Sequence, residues 1–278
     1  MAILLALVSS ALWGTSDFSG GTLTRRLPAV TVAAVSELIG LTGVVIAAAA
    51  TGALSGSSGY FWWGVLGALS GTAGIVAFYE ALATGTMGVV APIAAMGVVV
   101  PVVAGLVQGE RPSVWQIAGI VVAVVGVILA SGPELHGDGG QRGSARPLAL
   151  AGVAAVGFGV VFVAISHGAE HNTLMTLIVM RGVAVALMVV IALATSTSLR
   201  VGRRDVPMLF VVGAFDVGAN VTFAYASRHG LLSVVSVLSS LYPAVTVLLA
   251  RLVHTERLGR VQLAGVVAAL GGVVLIAS

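Results

Sequence analysis

The chain has 278 residues, of which 58% are hydrophobic and only 8% charged, and its mean hydropathy is +1.11. A soluble domain carries about 25% charged residues, and a soluble fold of this composition would turn an apolar surface to water, so an ordinary cytosolic enzyme and a disordered chain are excluded. The net charge of +3 comes from 13 Arg against 10 acids, with no Lys, and arginines scattered this way do not form the clustered basic face that nucleic acid needs. Cysteine is absent, which removes a disulfide framework, a thiolate metal site and a Cys nucleophile. The composition describes an all-α, polytopic membrane protein.

A helix needs about 20 apolar residues to cross the hydrocarbon core. Long apolar runs broken by polar or turn residues predict ten such spans, at 2–22, 28–50, 60–82, 86–107, 113–131, 147–167, 172–195, 207–227, 230–253 and 260–277. The first reads as a membrane helix and not as a cleaved leader. It lacks a basic opening, its apolar stretch is long, and Asp17 interrupts its end. Span three opens with Tyr60, Phe61, Trp62 and Trp63, an interfacial belt, and carries Gly67 and Gly71 at the spacing of close helix packing. Pro92, Pro101 and Pro243 fall in spans four and nine, where a missing N–H kinks a helix; packing kink and hinge weigh equally. Glu110-Arg111 and Glu256-Arg257 precede spans five and ten and read as helix-start anchors, since a carboxylate near a helix N-terminus meets the positive end of the macrodipole. Val121–Leu129 is apolar at every position, unlike the alternating strands of a β-barrel. The longest connection, Ser131–Arg146, is Gly-rich and reads as a flexible linker. The loops after odd spans hold nine arginines and those after even spans hold Arg111 and Arg228, a bias that puts both termini outside.

The chain is written twice. A shift of 146 residues lays Glu110-Arg111 on Glu256-Arg257, Gln116 on Gln262, Ala118-Gly119 on Ala264-Gly265 and Gly126-Val127 on Gly272-Val273. A shift of 144–145 lays Trp13-Gly14 on Phe158-Gly159, Phe78 on Phe223 and Glu37 on Arg181. The repeats are 1–131 and 147–278, with 132–146 between them. Each has five spans, an odd number, so the second copy must sit upside down relative to the first.

This pattern resembles the EamA family of the drug/metabolite transporter superfamily. The resemblance is carried by Trp13-Gly14, the two Glu-Arg pairs, Pro243 thirteen residues before Glu256, and Arg181 in mid-span, and the string WGTSDFSGG followed by Arg25-Arg26-Leu27-Pro28 is similar to one branch. It covers the whole chain as two tandem modules and implies a basket of ten helices that moves small metabolites. The halves depart from one another where Gly97 stands for Pro243, with Pro101 displaced by four, and where Glu37 stands for Arg181.

Charges inside the bilayer cost upwards of about 2.5 kcal/mol and persist when paired or lining a polar cavity. Glu37, Arg181 and Asp216 fall in mid-span; Asp17 and Glu80 fall nearer helix ends, within snorkelling reach of the interface. Trp13 and Asp17 share a helix face, as do Asp216 and Asn220. These faces are expected to line a central cavity. Arg181 would neutralise one of Glu37 or Asp216, and the second carboxylate would carry a coupling proton or meet a cationic group of the substrate. The plainer reading is a structural ion pair that locks the halves together. Tyr79, Tyr225 and Tyr242 could serve the cavity or sit at headgroup level.

His167-Gly-Ala-Glu170-His171 matches a zinc-peptidase pattern, but Gly168 is expected in a short turn between spans six and seven and no further carboxylate follows until Asp205. Asn220-Val-Thr222 falls in mid-span, where no glycosylation occurs, and without Lys no Walker loop exists. The expected function is a gradient-driven exporter of small metabolites or drugs in the inner (plasma) membrane, working by alternating access, with protons as the candidate coupling ion and with no metal, no cofactor and no enzymatic role. Its partners would be membrane lipid and a small-molecule substrate. The alternatives are a lipid-carrier flippase of the same fold, which would need a basic pocket for a phosphate head, and an integral-membrane enzyme, which would need His and carboxylates clustered at one depth.

Overall fold

The computed structural model describes residues 1–24, 26–54, 58–84, 93–94, 96–130, 145–254 and 259–277. Regular structure among them is helical throughout. Helices α1 (Ala2–Thr24), α2 (Ala29–Thr51) and α3 (Tyr60–Thr84) follow the first three predicted spans closely. α2 stops at Gly52, whose φ of +68° lets its N–H turn back to the Ala48 and Ala49 carbonyls; a side chain there would strain the left-handed turn. A 3₁₀ segment, Met96–Val98, runs into α4 (Val99–Val107), and α5 (Val114–Ala130) follows. α6 spans Ala145–Ala194, α7 Val206–Ser227, α8 Leu232–Ser239, α9 Tyr242–His254 and α10 Arg260–Ala277. Pro92, Arg25, Glu256, Arg257 and most of the linker lie outside the described residues.

The chain is apolar enough to live in lipid. Five helices of the described residues have the length and hydropathy to cross a membrane, among them Ala2–Thr24, Ala29–Thr51 and Val206–Ser227. The stretch Arg146–Ala194 has 49 residues. At 1.5 Å per residue it is roughly twice the hydrocarbon thickness, so it must fold back or break to fit. It breaks at Asn172, the one extended residue in its run (φ −162°, ψ 107°). The Asn172 Oδ1 accepts the Met175 N–H at 3.1 Å and so caps the second limb, while its Nδ2 donates to the Ala53 carbonyl at 2.9 Å and ties the bend to the end of α2. The turn expected at Gly168 is therefore placed four residues later. Gly168 is helical and buried, and its missing Cβ leaves room for the Thr176 side chain.

The span expected over 230–253 is not one helix. α8 ends at Ser239 and α9 restarts at Tyr242, with Pro243 in its first turn, where a proline's missing N–H has no helical partner to lose. Pro101 stands likewise in the first turn of α4, after the 3₁₀ segment. Both prolines mark where a helix restarts, and both restarts come at corresponding places in the two halves.

The halves interlock. The most extensive packing joins α3 to α6, α1 to α7 and α5 to α10, in each case one half against the other. A Cβ on Gly67 would meet Met180 and Ala164, and one on Gly71 would meet Val161, so these glycines let α3 close on α6. A Cβ on Gly119 would lie 2.7 Å from the Gly272 carbonyl, and one on Gly126 would lie 2.8 Å from the Gly265 carbonyl. As the number rises along α5 it falls along α10, so these two equivalent helices run antiparallel. The same correspondence holds at the broken segments. Gly14 backs onto the Tyr242 carbonyl and Val245, and Gly159 backs onto the Gly97 carbonyl and Val100. A shift of 145 residues turns the one set into the other.

Candidate functional site

Arg181 lies midway along the second limb of α6 and is 4% exposed. A guanidinium this deep needs compensating charge, and the fold supplies two carboxylates. Its Nη1 donates to Glu37 Oε2 at 2.6 Å, and its Nη2 pairs with Asp216 Oδ2. The expectation that it would take one of the two is corrected: the planar fork presents both terminal nitrogens at once and bridges α2 to α7. Gly40 on α2 permits the approach, since a Cβ there would lie 2.7 Å from Val217 on α7 and 3.8 Å from the Arg181 Cδ. Arg181 Nε is buried without a partner.

Asp216 is held from its other side too. Trp13 Nε1 donates to Asp216 Oδ1 at 3.0 Å. The Trp13 ring in turn stands 5.3 Å from Phe162, 5.9 Å from Phe223 and 6.3 Å from Tyr242, centroid to centroid. Phe162 and Phe223 meet edge to face at 4.8 Å. One helical turn from Trp13, Asp17 is exposed, and it lies within electrostatic reach of Asp216 and Tyr242. Asp17 forms no ion pair with a described residue. The structure thus gathers Trp13, Asp17, Glu37, Arg181 and Asp216 from α1, α2, α6 and α7.

Other residues singled out in the sequence stand elsewhere. Asn220 is buried, and its Nδ2 bonds back to the backbone carbonyl of Asp216 at 2.6 Å. Glu80 pairs with Arg146 at 2.8 Å on an exposed edge, and Arg26 pairs with Asp205 at 2.9 Å. Glu110 does not anchor the helix that follows it. Its carboxylate accepts the Leu232 N–H and, at 3.0 Å, the Ser233 N–H, so it caps α8 in the other half. The reason is local geometry: Gly109, at φ +90°, turns the chain at the end of α4, and Gly105 leaves the space into which Glu110 folds back. α5 is capped by its own Ser113, whose Oγ accepts the Gln116 N–H at 3.2 Å while Gln116 Oε1 accepts the Ser113 N–H at 2.8 Å. Arg111 is exposed.

His167 stacks on Trp63 at 4.6 Å, and its Nδ1 is 2.9 Å from the Val163 carbonyl. His171 lies against Gly59. Among the described residues no three His, Cys, Asp or Glu come together as a metal cluster. A cavity of about 310 Å³ opens at the bend of α6, lined by Thr51, His171, Asn172, Thr173, Tyr225 and Arg228 among others. The sequence did not point to Phe162, Phe223 or the capping role of Ser113. Only the last had a readable signal, the Ser-x-x-Gln spacing of a capping box.

Interlocked helical halves, apolar outside and carrying a buried charged cluster between them, define a multi-pass membrane protein built on a duplicated module. The chain belongs to the EamA-like transporter family, whose model matches residues 1–132 and again 146–278. A solved crystal structure shares the fold, with TM-score 0.83 at 20% identity, over 99% of this chain and 95% of the other. No match to a curated protein was found.

Proposed function

We propose that the protein is a secondary transporter that moves small metabolites or drugs through the centre of ten crossings, five per half, by alternating access. The observation that carries this reading is the Glu37–Arg181–Asp216 bridge, placed between the halves with Trp13 and Asp17 beside it. A charged cluster at this depth is costly. An open carboxylate next to a closed ion bridge suits a site that loads and unloads a charge. The antiparallel course of α5 and α10 and the matched helix restarts support two inverted halves able to exchange shapes around that site. Protons are the proposed coupling ion, export the proposed direction, and the plasma membrane the proposed location.

The flippase alternative needs a basic pocket for a phosphate head. The described cluster holds more acid than base, which counts against it. The test is solute flux in vesicles reconstituted with the full chain under an imposed pH gradient. Collapse of the gradient on adding a soluble metabolite is the expected result. Lipid scrambling without soluble flux would overturn the reading.

A further inference from the structure

We infer that the central site takes a protonated amine carried on an aromatic or apolar body, and discriminates against ligands that bear a carboxylate. The inference rests on the transporter reading and names the substrate class of the same site.

The argument starts from charge. Among the described residues the cluster holds three carboxylates, Asp17, Glu37 and Asp216, and one base, Arg181. That base is out of a ligand's reach. Its Nη1 is held by Glu37 and its Nη2 by Asp216, and its Nε is buried. Only 4% of Arg181 is exposed. An incoming carboxylate could not reach that buried guanidinium and would meet Asp17 and Asp216 as like charges. An incoming ammonium meets the opposite situation. Asp17 is exposed and forms no ion pair with a described residue. Trp13 lies four residues away on the same helix face, so a charge acceptor and an aromatic face are offered about 6 Å apart along the axis.

Trp13 and Tyr242 are the partly exposed rings, with Phe162 and Phe223 buried behind Trp13. Trp13 is flanked by Phe162, Phe223 and Tyr242, all with centroids within 6.3 Å of its own. Aromatic faces attract a cation through the ring quadrupole and an apolar body through burial. The Trp13 N–H is already committed to Asp216, which fixes the ring plane in advance of binding.

The test uses three ligands that share one ring: phenethylamine, phenylalanine and phenylacetate. Binding to the purified full chain is read by thermal shift and by tryptophan fluorescence. Phenethylamine is expected to bind at least about tenfold more tightly than phenylalanine, with phenylacetate weaker still. Asp17→Asn should weaken phenethylamine by about tenfold or more and Asp17→Glu should keep most of it, while Glu80→Gln, on the exposed edge, leaves it unchanged. Equal or tighter binding of phenylalanine or phenylacetate to the unaltered chain overturns the inference, and so does absence of phenethylamine binding. Vesicle flux separates the two readings. Transport of acids with no transport of amines sinks the inference and keeps the transporter. Amine binding with no flux of any solute sinks the transporter and keeps the site.

Discussion

Glu37 and Arg181 occupy equivalent places in the two halves, 144 residues apart, and bond to each other. Two residues that a two-fold relation interchanges can touch only close to its axis. The pair therefore sits where the halves meet, and it is the point at which the duplicated sequence stops being symmetric: one copy carries the acid, the other the base. Asp216 completes the bridge, and a shift of 145 residues carries it back to Gly71, which has no charge to offer.

The bridge is expected to be the costliest place to cut. Arg181→Met leaves two carboxylates facing each other in a buried site and should destabilise the protein by about 3–5 kcal/mol, read by thermal unfolding in detergent. Arg181→Lys should recover part of this, because one ammonium cannot fork to both partners. Swapping the charges, Glu37→Arg with Arg181→Glu, should fail to restore stability, since the new Glu would stand against Asp216. A swap as stable as the parent would show that Asp216 is not part of the bridge. Arg26→Ala, at a pair whose arginine is 56% exposed, should cost under about 1 kcal/mol.

Glu110 binds the halves by a different device. Glu110→Ala uncovers the Leu232 and Ser233 N–H groups of a fully buried helix start and should cost about 1–2 kcal/mol. Glu110→Gln keeps one acceptor oxygen and should lose less. If Glu110→Ala and Arg111→Ala shift the unfolding temperature equally, the cap contributes nothing.

The contact of α5 with α10 depends on small residues. Gly126→Leu would drive a side chain into the Ala269 backbone and should abolish properly folded protein, measured as the monodisperse fraction after solubilisation. Val125→Leu, one position along at a residue 47% exposed, should be tolerated. Normal yield from Gly126→Leu would contradict the close antiparallel packing.

Trp13→Phe keeps a large ring beside Phe162 and Phe223 but removes the N–H that Asp216 accepts. A hydrogen bond to a charged group contributes about 1.5–3 kcal/mol, so flux in reconstituted vesicles should fall by roughly tenfold or more while folding is retained. Flux equal to the parent's would remove Trp13 from the site.

Much of this was legible in the sequence because lipid leaves the chain few options. Backbone groups in a bilayer must bond internally, so long apolar runs become helices. That constraint located α1, α2, α3 and α7 within a few residues and made a shared pattern of Glu, Arg, Gln and Gly stand out as a repeat. The mid-span charges Glu37, Arg181 and Asp216 were conspicuous for the same reason: nothing polar is kept there without a partner. Where the reading went astray, the deciding interaction was local backbone geometry or a contact across halves. The bend fell at Asn172 and not at Gly168 because an Asn side chain can cap the limb it begins. Span nine broke into two helices because Pro243 is accommodated in a first turn.

What the sequence determined alone is the medium, the helical class, the duplication and the short roster of charges too deep to be accidental. What tertiary structure decided is who meets whom. Glu110 reaches α8 and not α5, Arg181 takes both carboxylates, Asn220 turns back on its own helix, and Phe162 and Phe223 gather round Trp13. These partners lie 35 to 210 residues apart along the chain or, like Asn220, differ only in which rotamer wins. Periodicity fixes the face a residue occupies; the packing of α1, α2, α6 and α7 against one another fixes which faces meet.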